Sequence, residues 1–72
     1  MSNIRSEVAS YYTNLHADAA AVLSAASAAL RAMPHDSTYG DLRKAFAAVE
    51  SASRRENDAR ILATGARLLA VA

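Results

Sequence analysis

Cysteine and tryptophan are both absent from this chain of 72 residues, proline occurs once and glycine twice. Without cysteine, neither a disulfide nor a thiolate metal site can staple a domain of this size. With proline only at 34 and glycine only at 40 and 65, little interrupts a helix elsewhere. A strong charge of one sign is also missing. Eight Lys and Arg against seven Asp and Glu leave a net +1, too small for the overall balance to imply nucleic acid or an anionic membrane. Long apolar runs are missing as well: the longest weakly charged stretch, 15–30, contains His16 and Asp18 and falls short of the roughly 20 apolar residues that cross a bilayer. The opening MSNIRSE has no apolar core behind its basic residue, so no secretory signal is expected. A soluble, cytoplasmic chain is the expectation, with an exported assembly subunit as the alternative.

What is present is alanine. The segment 18–31, DAAAVLSAASAALR, carries no charge between its ends and has only Ser24 and Ser27 as polar interruptions. Alanine is the strongest helix former, so this stretch predicts a helix. Small side chains all round let neighbouring backbones approach at the close end of the usual range of about 8–10 Å, which suggests a helix covered on more than one side. A domain of this length buries only about 60% of its unfolded surface, and the smallest domains often need a disulfide, a metal or a partner. With the first two unavailable, association with another chain is the expected addition.

Along the chain, Ser2 or Asn3 is suited to cap a first helix over about 3–33. Ile4, Val8, Tyr11, Tyr12, Leu15, Ala19, Val22, Leu23, Ala26, Leu30 and Met33 recur in it at intervals of mostly three and four. Pro34 ends it, because proline disfavours helical geometry at Met33 and cannot donate a backbone hydrogen bond. The loop 34–40, PHDSTYG, is short enough to return the chain antiparallel, and Thr38 with Asp41 resembles a capping box. A second helix, about 41–71, begins with an apolar face of Leu42, Ala45, Phe46, Val49 and Ala52. SRREND, 53–58, then breaks that pattern, and Ile61, Leu62, Leu68 and Leu69 resume it well over a quarter-turn away. Either Ser53 and Glu56 cap a third helix over 56–71 and complete a three-helix bundle, or one helix runs through and its second half faces another surface. The absence of Gly and Pro between Val49 and Thr64 favours the continuous helix.

No constellation points to catalysis. His16 has Tyr12 and Ala20 one turn away on either side, so it lacks a second metal ligand at helical spacing, and His35 lies in the loop beside Asp36. There is no phosphate-binding glycine loop and no nucleophile elbow, and short Ala-rich helices rarely enclose a pocket of a few hundred Å³. No enzyme, metal or cofactor is expected. Charge is uneven between the halves: residues up to Asp41 sum to −2 and those beyond to +3. Arg43, Lys44, Arg54, Arg55, Arg60 and Arg67 could line a phosphate-contacting face. Glu50 four before Arg54, and Glu56 four before Arg60, supply neighbouring carboxylates that fit an ordinary solvated face instead. Tyr11 and Tyr12, about 100° apart on a helix, cannot both point inward, which leaves one as a candidate contact.

The expected fold is therefore all-α: an antiparallel helical hairpin with a long Ala-rich first helix, and an oligomer. In outline, two helices joined by a proline-containing turn, it resembles the needle subunits and small helical chaperones of type III secretion systems, and small phage or bacterial inhibitor proteins. That resemblance is architectural and transfers no residue roles. The expected function is a noncatalytic protein-interaction module: an adaptor, inhibitor or small chaperone-like protein, homodimeric and binding a protein partner. Its contact residues would be Tyr11, Tyr12, Val22, Ala26, Leu30, Ile61, Leu62, Leu68 and Leu69. The alternatives are a small nucleic-acid-binding regulator using the six basic residues, and a subunit of a helical assembly. Ala26→Glu is expected to disrupt assembly more than Ala47→Glu.

Overall fold

The structure, a computed structural model, describes residues 3–72. Two helices, α1 (Ile4–Arg31) and α2 (Tyr39–Val71), lie antiparallel as a hairpin whose backbone measures 58 × 15 × 12 Å. No strand occurs among the described residues.

Each helix boundary has a local cause. The Asn3 side chain accepts from the Ser6 N–H at 3.3 Å, satisfying one of the free donors of α1; Ser2, the other expected cap, lies outside the described residues. At the far end the Met33 N–H reaches back only three residues, to the Leu30 carbonyl at 3.3 Å, a tightening of the last turn just before Pro34. The Pro34 carbonyl accepts from the Ser37 N–H (3.1 Å) and from its hydroxyl (2.7 Å), which folds the connection 32–38. Thr38 caps α2 by accepting from the Asp41 N–H at 3.1 Å. The helix therefore starts at Tyr39, and the glycine at 40 is spent in its first turn.

The three-helix alternative is corrected: α2 runs unbroken through 53–58, and Ser53 caps nothing. Its inward residues are Leu42, Ala45, Val49, Ala52, Glu56, Ala59, Ala63, Ala66 and Ala70, and every other residue of α2 is exposed. Their intervals alternate three and four from end to end, the 3.5-residue repeat of a coiled-coil seam. The apparent phase change arose from following the large side chains. After Val49 the seam continues in alanine, while the leucines and isoleucine lie off it. The facing seam of α1 is Ala9, Tyr12, His16, Ala19, Leu23, Ala26 and Leu30, continued by Met33 beyond the helix end, all at least half-buried.

Two polar links set the register. His16 Nε2 lies 2.8 Å from Glu56 Oε1, with both side chains about a quarter exposed (28% and 21%). An ionised carboxylate only accepts, so the imidazole donates from Nε2. Arg5 Nη1 donates to the Leu69 carbonyl at 3.4 Å. That carbonyl is one of the four left free at the end of α2, where the last turn has no basic residue of its own. Both links place residue n of α1 level with about residue 73 − n of α2.

Candidate interaction face

Among the described residues the buried ones are all alanine: Ala19, Ala52, Ala59, Ala63 and Ala66. Large apolar side chains remain outside, among them Tyr11 (63% exposed), Ile61 (60%), Leu68 (64%) and Val71 (83%). Burial of an alanine methyl removes far less apolar surface than burial of a leucine, for which about 1.5–3 kcal/mol is typical. The hairpin thus hides its small residues and shows its large ones.

This inversion is not uniform along the rod. Near the loop, Leu23, Leu30, Met33, Leu42 and Val49 turn inward and alanines such as Ala21, Ala28, Ala47 and Ala48 face out. At the open end, where the start of α1 meets the end of α2, Ala9, Ala59, Ala63, Ala66 and Ala70 turn inward and Ile4, Tyr11, Ile61, Leu62, Leu68 and Leu69 face out.

Nor are the two broad faces of the hairpin alike. The residues that immediately precede alternate seam positions share one face: Val8, Leu15, Val22 and Ala29 from α1, with Ala48, Arg55, Leu62 and Leu69 from α2. On this face an open groove of about 470 Å³ runs between the helices, lined by Leu15, Asp18, Ala19, Val22, Arg55, Asp58, Ala59 and Leu62. The opposite face carries Thr13, Ala20 and Ser27 from α1 and Phe46, Ser53, Arg60 and Arg67 from α2, all but Ser27 exposed. Its concavity is lined by Phe46, Val49, Glu50, Ser53, Arg54 and Asn57, a mainly polar set.

The expected contact residues divide between seam and surface. Tyr12, Ala26 and Leu30 are half-buried in the intramolecular seam, so glutamate at Ala26 would part the hairpin's own helices before reaching any second molecule. Tyr11, Val22, Ile61, Leu62, Leu68 and Leu69 are exposed. The Tyr11 and Tyr12 rings meet edge to face with centroids 5.1 Å apart. Sequence reading passed over Leu15, Asp18 and Asp58, which line the apolar groove, because their shared face becomes visible only once the two seams are in register.

The six basic residues are all exposed but are not brought together. At coiled-coil spacing Arg60 and Arg67 flank the seam on one side and Arg55 on the other, with Arg43, Arg54 and Lys44 spread round the outside. Arg54 is held by Glu50 at 2.7 Å, and Arg60 bonds Asn57 at 2.6 Å with Glu56 3.9 Å away. Among the described residues no group of His, Asp and Glu could hold a metal ion, and no helix is long and apolar enough to cross a membrane. The chain matches no family model, no curated protein and no solved structure.

Proposed function

We propose that this chain is a noncatalytic helical protein-interaction module that works by helix–helix association, with itself and with a protein partner. One observation carries the reading: the hairpin encloses alanines and leaves Ile4, Tyr11, Ile61, Leu62, Leu68 and Leu69 uncovered. The accessible surface supports it. At 5457 Å² it exceeds the roughly 4,300 Å² typical of a compact folded chain of this mass. The excess, about 1,200 Å², is somewhat more than the roughly 800 Å² that one partner contributes to a specific interface. The nucleic-acid alternative has weaker support, since its six basic residues point in divergent directions and two of them already have side-chain partners.

The test is thermal unfolding followed by circular dichroism over a hundredfold range of concentration. If association completes the fold, the midpoint rises with concentration. A cooperative transition at one fixed temperature throughout, from a species that scattering shows to be monomeric, would overturn the reading.

A further inference from the structure

We infer that the occupant of the Leu15/Val22/Leu62 groove is a second copy of this chain, laid across it in the antiparallel sense to form a four-helix bundle. The inference rests on the interaction reading above and names its partner and its face. Three features favour a copy over an unlike protein.

The first is charge. Asp18, Arg55 and Asp58 line this groove, and among the described residues none of the three is in an ion pair. Arg55 and Asp58 sit three residues apart on α2, about 4.5 Å along the axis. A two-fold axis crossing the groove midway between them lays α2 on its symmetry mate in the opposite direction. Arg55 of each copy then lies level with Asp58 of the other, which forms two intermolecular pairs from one repeated patch.

The second is shape. Leu62 and Leu69 stand toward the open end of this face, and Ala48 and Ser51 stand toward the loop end. Antiparallel stacking about the same axis sets Leu62 of each copy level with Ser51 of its mate, a large side chain against a small one, as interdigitating layers require. A parallel stack would instead crowd the large side chains at one end and leave the alanines at the other with nothing to receive. The third is extent: the excess surface of one hairpin, about 1,200 Å², is enough to supply the roughly 800 Å² that each half of such an interface covers.

The register supplies a direct test, since a cysteine-free chain reports cleanly on a single introduced thiol. Leu15 is within about one turn of the two-fold axis, so Leu15→Cys chains should join rapidly as disulfide dimers under mild oxidation. Ala47→Cys, on the outer surface, should not. By sedimentation, Leu62→Glu should weaken self-association about tenfold or more, while Thr13→Glu on the opposite face leaves it unchanged. Arg55→Asp and Asp58→Arg should each weaken it, and the two together should restore it. Crosslinking of Leu15→Cys no faster than Ala47→Cys would overturn the inference, as would a dimer indifferent to Leu62→Glu. If melting still depends on concentration in Leu62→Glu, the interaction reading stands and the interface lies elsewhere. If melting is independent of concentration in the unaltered chain, both fall together.

Discussion

The loop half and the open half of this hairpin use the same kinds of residue in opposite places. Near the loop, Leu23, Leu30, Leu42 and Val49 fill the seam and alanines face solvent; near the termini, alanines fill the seam and Ile61, Leu62, Leu68 and Leu69 face solvent. The loop half is closer to a conventional amphipathic hairpin, with its leucines and Val49 turned inward, although Phe46 (59% exposed) and Tyr39 (78%) stay outside. Its counterpart presents closely approached backbones inside and a large apolar exterior, an arrangement that gains little from folding alone. The difference is one of enclosure: the loop end hides more of its apolar bulk within its own seam than the open end does.

Overpacking the open seam should show the contrast most strongly. Ala63 has no exposed surface, so Ala63→Leu has to push the helices apart and should cost about 2–3 kcal/mol in urea unfolding, whereas Ala47→Leu should change little. Equal, small effects would show that the alanine seam is loose and the comparison unfounded. Truncation tests the other side of it. Leu30→Ala in the loop seam should lose about 1–2 kcal/mol, less than a fully enclosed leucine because Leu30 is only half-buried. Leu68→Ala, 64% exposed, should leave the stability of a dilute sample within about 0.5 kcal/mol.

The boundary between the halves is marked by His16 and Glu56. Glu56→Leu leaves the half-buried imidazole without its acceptor and should cost about 1–2 kcal/mol. Pairing it with His16→Leu should recover most of that loss, since a well-packed apolar pair replaces a partly desolvated polar one. A double-mutant cycle with coupling under about 0.3 kcal/mol would mean that the pair does not hold the register. The smallest effect expected is at Gly65, a helical glycine with open space where a Cβ would stand. In a dilute sample Gly65→Ala should stabilise α2 by about 0.5–1 kcal/mol, read as a raised melting midpoint, and a decrease there would contradict the open space beside it in the single hairpin.

Much of the hairpin was legible in the residues. Pro34 marked the turn, Thr38 with Asp41 marked the start of α2, and the lack of Gly and Pro between Val49 and Thr64 favoured one long helix. What misled was weighting each position by its apolar bulk. Glu56 reads as part of a charged run, yet it turns inward because His16 faces it from the other helix. Leu62 and Leu69 read as the continuing core, yet the 3.5-residue repeat carries Ala63, Ala66 and Ala70 inward instead. An alanine is compatible with either side of a helix, so its own identity does not reveal which side it takes.

Helix content and the turn follow from local chemistry: backbone propensity, a proline that cannot continue a helix, and side-chain caps act over a few residues and need no partner strand or helix. Which stripe of each helix becomes the seam is a matter of two helices meeting, since only their mutual approach selects small residues over large ones at the closest contacts. The groove between Leu15 and Leu62, the pairing of His16 with Glu56 and the outward leucines all came from that choice. Close packing along two long surfaces is a property of the pair, and neither helix carries it alone.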